Sequence, residues 1–119
     1  MYRSFPSHVV VFGDDCRHKL VFPEDWTALL TGVCSPVEVL RGPNSRIWPM
    51  QLVKVTEDTR TNMCLDIGWE SFVIENYLVD GEIMIIYYAG NREFYVRIFS
   101  SFMIERRARI EPIQRDENM

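Results

Sequence analysis

Apolar and polar residues alternate with a period of two along most of the chain, which is the pattern of half-buried β-strands. The segments with this pattern are short, and clusters of glycine, proline, asparagine and aspartate separate them. Seven strands are predicted: SHVVVF (7–12), LVF (20–22), VEVLR (37–41), RIWPMQLVKV (46–55), MCLDI (63–67), EIMIIYYA (82–89) and FYVRIF (94–99). The chain is therefore predicted to be mainly β.

Two segments depart from this alternation and predict short helices. In the segment at 66–82, Trp69, Phe72, Val73 and Tyr77 recur at helical spacing and form one apolar stripe. The other is PEDWTALL (23–30), which begins with a proline and two acidic residues, as helix N-termini commonly do. Both helices interrupt runs of strands.

The connections between strands are of two kinds. Residues 42–45 (GPNS) are turn formers and predict a hairpin, and Pro49 in its second strand removes a backbone donor. Pro49 is therefore expected at a sheet edge or a bulge. The segments GDDCRHK (13–19) and TEDTRTN (56–62) are polar throughout and are predicted to be exposed loops.

Short strands at this spacing favour a closed or partly open antiparallel barrel, because such a sheet leaves few exposed edges. A chain of 119 residues has room for one domain, and a hydrophobic fraction of 47% argues against disorder. Trp26, Trp48 and Trp69 all stand at positions where their elements need a core residue. They are predicted to be buried rather than free to stack on bases.

Cysteine usage and hydropathy exclude several classes of protein. Cys16, Cys34 and Cys64 are an odd number with no CxxC pair, so neither a disulfide framework nor a zinc site is indicated. No segment approaches the ~20 apolar residues of a membrane span, and the apolar run near the N-terminus is too short for a signal peptide. The chain is expected to be an intracellular protein with reduced thiols that does not enter a membrane.

An enzyme is not indicated. Cys16 and His18 could pair as nucleophile and base, but the sequence supplies no orienting third group and no oxyanion-hole motif. No cluster of metal ligands and no phosphate-binding glycine loop accompanies them. The sequence therefore predicts no catalytic residue, no metal, no cofactor and no small-molecule substrate.

The charge of the chain leaves nucleic-acid binding open. A formal net charge of −4 argues against a general polyanion binder, yet eleven of the thirteen basic residues are arginines, which suit phosphate and guanine. The run Arg106, Arg107 and Arg109 could contact a nucleic acid or an import factor. The same three arginines stand among acids and could equally form a solvated helix face.

The order of these elements and three groups of residues resemble the plant-specific B3 DNA-binding domain, and most closely its reproductive-meristem branch. The first group is the motif GW..FV..N.L..G, which is formed by Gly68, Trp69, Phe72, Val73, Asn76, Leu78 and Gly81. The second group is RGPNSRIWPMQL at 41–52, and the third is FYVRIF at 94–99. The resemblance covers residues 8–100. It leaves an N-terminal extension of residues 1–7 and a C-terminal extension of residues 101–119, helical or disordered.

The resemblance implies a seven-stranded open pseudobarrel with two short α-helices. It also implies a nuclear transcription-factor domain that binds double-stranded DNA by placing two loops in the major groove. Carried onto this chain, those loops are 13–19 and 56–62, and the residues expected at the DNA are Arg17, His18, Lys19, Lys54, Arg60, Thr61 and Asn62. Acidic residues in both loops oppose phosphate, so modest affinity and limited sequence selectivity are expected.

The alternative is a degenerate pseudobarrel that acts as a protein-interaction or dimerisation module. The acidic balance of the chain favours it, and so do Phe102, Met103 and Ile104, three apolar residues beyond the last matched strand. The expected partner is then another protein or a second copy of the chain.

Overall fold

The structure, a computed structural model, describes residues 5–31, 38–43 and 46–106. The strands and helices of this part are, in chain order, β1 (Ser7–Val11), β2 (Leu20–Val21), α1 (Trp26–Thr31), β3 (Glu38–Arg41), β4 (Ile47–Met50), β5 (Leu52–Glu57), β6 (Arg60–Leu65), α2 (Trp69–Glu75), β7 (Ile83–Gly90), β8 (Glu93–Phe99) and β9 (Glu105–Arg106). Neither helix is long and apolar enough to cross a membrane.

The strands form two open sheets. The larger has six strands in the order β1-β7-β8-β3-β4, with β9 also paired to β8, and the smaller has the order β2-β6-β5. This arrangement confirms the predicted mainly β fold with two short helices. The sheets are open, as the pseudobarrel implies, rather than closed. The pairs are antiparallel as expected, except β3 and β8, which run parallel.

The predicted strand RIWPMQLVKV is two strands, because the chain passes from one sheet to the other at Gln51. The Gln51 N–H donates to the Ile67 carbonyl and the Asp66 N–H donates to the Gln51 carbonyl, both at 2.9 Å. Met50 and Leu52, on either side, are buried. This split and the added β9 give nine strands in the described residues where seven were predicted.

The segment 56–62 was predicted to be a loop, and this prediction is wrong, because most of its residues belong to β5 and β6. Glu57 and Arg60 still pair across the hairpin, so the turn consists of Asp58 and Thr59. Asp58 has a φ of 55°, the left-handed conformation that tight hairpin turns require. The polar composition that predicted a loop reflects strands that are exposed to solvent at this end.

Helix α2 confirms the helix predicted from the apolar stripe, although it is shorter. Trp69, Phe72 and Val73 are buried, as the spacing predicts. The helix ends at Glu75, and Tyr77 lies beyond it with a φ of 51° and only partial burial. The local pattern identified the buried face of the helix but extended it two residues too far, to Tyr77.

Aromatic side chains fill the space that the two sheets and the helices enclose. Phe22 stacks on Trp26 with 4.7 Å between ring centroids, and Trp48 and Trp69 lie 5.0 and 5.3 Å from Phe72. The three tryptophans are at most 7% exposed. Their predicted place in the core is confirmed.

Strand β9 lies past residue 100, inside the predicted C-terminal extension. Glu105 and Arg106 pair with β8. The Arg106 side chain is only 12% exposed and donates to the Glu82 carboxylate at 2.9 Å. Arg106 is thus largely enclosed and not part of a solvated helix face, whereas Arg107 and Arg109 lie outside the described residues.

The two predicted extensions are described only in part. Residues 1–4 of the N-terminal extension and residues 107–119 of the C-terminal extension lie outside the described residues. Residues 32–37, which include Cys34, also lie outside the described residues.

Candidate nucleic-acid interface

The first arm, residues 13–19, is anchored to the core of the domain. Asp14–Cys16 form a single 3-10 turn within it, and the Cys16 side chain is buried. The Cys16 carbonyl oxygen accepts a hydrogen bond from Nε1 of the fully buried Trp69 at 2.7 Å. This bond fixes the middle of the arm against α2. The basic residues that follow Cys16 then point to different parts of the surface.

Arg17 is held by two carboxylates. Its Nη2 donates to Asp14 Oδ1 at 2.9 Å and to Asp80 Oδ1 at 2.7 Å, and its guanidinium lies 5.0 Å from the centroid of the Phe12 ring. The hydrogen bonds to Asp14 and then to Asp80 raise the Arg17 pKa above its ordinary value. The charge of Arg17 is therefore largely compensated within the domain.

His18 also contacts an acidic residue. Its Nδ1 shares a hydrogen bond of 2.6 Å with Oε2 of Glu70, on the first turn of α2, and the imidazole is 72% exposed. A cavity of about 360 Å³ separates this part of the arm from α2, and its lining is Arg17, His18, Glu70, Val73, Ile74, Tyr77 and Leu78. Arg17 and His18 thus form one patch beside α2.

The second arm is the β5–β6 hairpin, and its residues lie on two opposite faces. Side chains alternate across a strand, so the cross-strand register decides which residues share a face. Arg60 and Asn62 lie on the face of Glu57, whereas Lys54 and Thr61 lie on the other. The four residues predicted from this hairpin are therefore split two and two.

Lys19 joins the Arg60 face of the hairpin. A cleft of about 590 Å³ opens there, lined by Lys19, Val21, Val55, Glu57, Asp58, Thr59, Arg60 and Asn62. One basic side chain from each arm, Lys19 and Arg60, lines this cleft, together with the two acids, Glu57 and Asp58, that the sequence predicts to oppose them. The first arm thus divides after His18, with Arg17 and His18 beside α2 and Lys19 beside the hairpin.

Two hydrogen bonds fix the base of the hairpin to the preceding elements. Asn62 Nδ2 donates to the Phe22 carbonyl at 2.9 Å, and Thr27 Oγ1 donates to the Thr61 carbonyl at 2.7 Å. The first bond uses one donor of the Asn62 amide. The second joins α1 to β6 through the backbone and leaves the Thr61 hydroxyl, 3.3 Å from that of Thr56, near the surface.

Most arginines that the structure describes are paired with acids. Four further ion pairs join Arg41 to Glu93, Arg46 to Glu75, Arg97 to Glu105 and Arg106 to Glu82. Lys19, Lys54 and Arg60 form no ion pair with another described residue. These three cations, all predicted at the DNA, are the basic residues of the two arms that have no ion pair in the described part of the chain.

Sequence reasoning missed the acidic residues that bind the first arm. Asp80 and Glu70 are distant from Arg17 and His18 in sequence, separated by 63 and 52 residues. The sequence of the arm alone therefore does not predict that Asp80 and Glu70 contact it. The acids that sequence analysis did weigh, Asp14 and Asp15, account for only one of the contacts.

The side chains that could have suggested catalysis are not arranged for it. The Cys16 thiol is buried, and this burial raises its pKa, so the thiolate needed for attack is disfavoured. The His18 imidazole bonds to Glu70 rather than to Cys16. No group of three or more His, Cys, Asp or Glu side chains in the described ranges could hold a metal ion.

Comparison with known proteins places this arrangement in a family. The model of the B3 DNA binding domain matches residues 8–101. In Arabidopsis thaliana, B3 domain-containing protein At5g57720 is 29% identical over 98 residues, which are 82% of this chain and 32% of that protein. B3 domain-containing protein REM20, from the same plant, is 29% identical over 101 residues, or 84% of this chain and 34% of its own length.

Solved structures show the same fold. The structure of the hypothetical Arabidopsis thaliana protein At1g16640.1 has a TM-score of 0.67 and 25% identity, covering 82% of this chain and 93% of that one. The Arabidopsis FUS3-DNA complex has a TM-score of 0.56 and 10% identity, covering 86% and 97%. At that identity the second likeness concerns the fold alone.

The family match confirms a DNA-binding class of domain rather than an enzyme, and the similarity to REM20 confirms the resemblance to the reproductive-meristem branch. The chain spans about a third of the length of each of the two curated relatives. The matched region runs from β1 to the end of β8 and contains both arms. On this evidence the chain belongs to the B3 DNA binding domain family.

Proposed function

We propose that this domain binds double-stranded DNA in the major groove through the first arm and the β5–β6 hairpin. The observation that carries the proposal is the cleft in which Lys19 and Arg60, one from each arm, lie together without ion pairs to described residues. An ammonium group can take a phosphate oxygen, and a guanidinium can take a phosphate or O6 and N7 of guanine. Membership of the family supports the same reading.

The two faces of the hairpin assign different contacts to its residues. The major groove admits a two-stranded ribbon, which then presents one face to each wall. Arg60 and Asn62 on one face suit base edges, Thr61 on the other suits a thymine methyl, and Lys54 suits backbone phosphate. Lys19, at the mouth of the cleft, is assigned to phosphate.

The first arm contributes less than its composition suggests. To bind phosphate, Arg17 and His18 must first give up their hydrogen bonds to Asp80 and Glu70. This exchange reduces the free energy that DNA binding gains from the two residues. Glu57 and Asp58 in the cleft also repel the backbone. Modest affinity, limited sequence selectivity and strong salt dependence follow.

The cellular setting follows from the family and not from the site. Domains of this class act in transcription, so we assign the chain to the nucleus and to the regulation of transcription. The matched region makes up about a third of each curated relative, so the activity of a whole protein of this kind does not rest on this domain alone.

Fluorescence anisotropy with a labelled pool of random duplexes tests the proposal. We expect binding at ~50 mM salt that weakens on a log–log plot as salt rises, with a slope of ~0.9 for each phosphate contacted. Replacing Lys19 and Arg60 together with alanine should reduce that slope by about one contact, that of Lys19, and should lower the affinity further through the lost base contact of Arg60. The double variant Arg41→Ala with Arg46→Ala removes the same charge away from the arms and should leave the slope unchanged.

Absence of duplex binding at high micromolar protein would refute the proposal. An equal effect of the two double variants would refute the assignment to the arms, since nonspecific attraction depends only on the total charge.

The protein-interaction module is the second candidate. Phe102, Met103 and Ile104 are 84%, 56% and 69% exposed in the turn before β9, as predicted. Apolar side chains this exposed and this close together commonly mark an interaction site. A wild-type chain that binds no duplex, and whose self-association is lost on replacing Phe102 and Ile104 with Asp, would favour this candidate.

A further inference from the structure

The two outer edges of the larger sheet differ in how they are protected. Edge strands offer unpaired backbone groups, and natural proteins usually block them with a proline, a charge, a bulge or another element. At β4 the edge carries Pro49, and the backbone of Gly68 beside α2 approaches the Pro49 carbonyl closely. At β1, Ser7–Val11 contains no charged residue and no proline.

The other free edges in the described part of the chain are also blocked. Strands β2 and β9 have only two residues each, and β9 consists of two charged residues. Strand β5 carries Lys54 and Glu57. Strand β1 is therefore unusual among the described edge strands in being five residues long and uncharged.

The backbone of β1 has a defined inner and outer row of polar groups. The Phe12 N–H donates to the Glu82 carbonyl at 2.7 Å, and the Tyr88 N–H donates to the Pro6 carbonyl at 3.0 Å. In an antiparallel ladder alternate residues direct their N–H and C=O groups to the same neighbour. Even-numbered residues therefore face β7, and Ser7, Val9 and Val11 direct their groups away from the sheet.

The side chains beside this free edge are apolar. Val9 is 59% exposed and Val11 is 62% exposed, on the outer face of the sheet. On the same face their partners in β7 are Ile85 and Ile83, both partly exposed. The edge thus combines an apolar strip with outward backbone groups, of which only the Val11 carbonyl has a described partner, the Cys16 thiol at 3.9 Å.

We propose that β1 pairs antiparallel with β1 of a second copy of this chain, around a two-fold axis at Val9. In this register Val9 faces Val9 and Ser7 faces Val11 of the other copy, so the outward N–H and C=O groups of all three residues find partners. The strand is its own complement, because the residues that direct bonds outward are spaced symmetrically about Val9. No like charges meet at the axis, and the exposed valines come together as the two sheets join.

A pairing of one five-residue strand per copy buries little surface, so the dimer is expected to be weak and concentration-dependent. It does not use Lys19 or Arg60, which border the smaller sheet, whereas Val9 lies in the larger one. The first arm touches only the far end of β1, where Cys16 Sγ lies 3.9 Å from the Val11 carbonyl. Dimerisation and DNA binding can therefore be tested separately.

Sedimentation velocity of the full chain from ~10 to ~500 µM tests the association, a range suited to weak interfaces. We expect a reversible shift from monomer to dimer. The variant Val9→Lys places two like charges at the axis and should weaken the dimer at least about tenfold. The control Val79→Lys alters another exposed valine, 43% exposed in the turn after α2, and should not change it.

Monomer at every concentration would overturn the proposal, and so would a dimer that Val9→Lys leaves unchanged. Circular dichroism of Val9→Lys checks that the fold is kept, which is expected for an exposed position. The same variant should retain duplex binding, so a failure of dimerisation stays distinguishable from a failure of DNA binding.

Disulfide trapping tests the register. The Cα atoms of a hydrogen-bonded antiparallel pair lie ~5.5 Å apart, within the range of a disulfide. Val9→Cys should therefore form a covalent dimer on mild oxidation. In Val11→Cys the two sulfurs are displaced by four residues, ~13 Å along the strand, and should not join.

Cross-linking of Val11→Cys as fast as Val9→Cys would contradict this register. The wild-type chain controls for its native thiols, of which Cys16 and Cys64 are buried.

Discussion

Arg106 on β9 is bound inside the domain by Glu82, which lies directly before β7. Nε and Nη2 of Arg106 donate to the two oxygens of the Glu82 carboxylate at 2.9 and 3.1 Å, and Nη2 also donates to the Asn76 carbonyl at 2.9 Å. The two side chains are 12% and 5% exposed. The last described strand is thus joined to the end of α2 and to the larger sheet by one buried charge pair.

Replacing Arg106 with alanine should destabilise the domain by about 3 kcal/mol, because it leaves the buried Glu82 carboxylate without its cation. Urea denaturation followed by tryptophan fluorescence measures the change. Arg97→Ala, which removes the more exposed pair with Glu105, should cost no more than about 1 kcal/mol. Equal losses in the two variants would show that burial does not govern the Arg106 contribution.

Replacing Gly68 with alanine should destabilise the domain by several kcal/mol, on the order of strain and overpacking combined. Gly68 has a φ of 100°, and an added Cβ would overlap the Pro49 carbonyl oxygen. Gly90 is a matched control, with a φ of 85° but no atom within 4 Å of an added Cβ. Gly90→Ala should therefore cost only about 1 kcal/mol, for the backbone conformation alone. The midpoints of urea denaturation compare the two.

Removing the acids that hold the first arm should strengthen DNA binding. The double variant Asp80→Asn with Glu70→Gln frees Arg17 and His18 for phosphate, and we expect an affinity increase of roughly tenfold at low salt. Anisotropy titration measures it. The double variant Glu93→Gln with Glu105→Gln, which removes the same charge and frees Arg41 and Arg97 instead, should change the affinity much less. A gain of equal size in the control would attribute the effect to net charge alone.

The stability of the domain should fall as pH decreases through the range of histidine titration. Burial lowers the pKa of His8 below its usual 6.5, so the unfolded state binds the proton at a higher pH than the folded state. His8 therefore favours folding above pH ~6.5, and that contribution is lost as the pH falls below this value until the folded state is protonated too.

Urea denaturation at pH 7.5 and 5.5 tests this dependence in wild type and in His8→Gln. His8→Gln should flatten the difference between the two pH values, whereas His18→Gln should retain the part due to His8. An unchanged difference in His8→Gln would assign the pH dependence to other groups.

Local patterns in the chain determined which segments extend, which coil and which faces are buried. The alternation around Val9 and Ile85 and the stripe of Trp69, Phe72 and Val73 predicted strands, a helix and a core, because burial on one face imposes a period on the sequence. The residues of α2 also carried the resemblance that identified the family. These features depend on neighbours within a few residues.

Contacts between distant segments decided the rest. The switch of sheets at Gln51, the parallel pairing of β3 with β8 and the burial of Arg106 depend on which surfaces meet, and the sequence spacing holds no record of them. The candidate site shows the same division. Sequence supplied the basic residues of both arms, but only the fold placed Asp80 on Arg17 and put Lys19 beside Arg60, because electrostatics depends on distance in space.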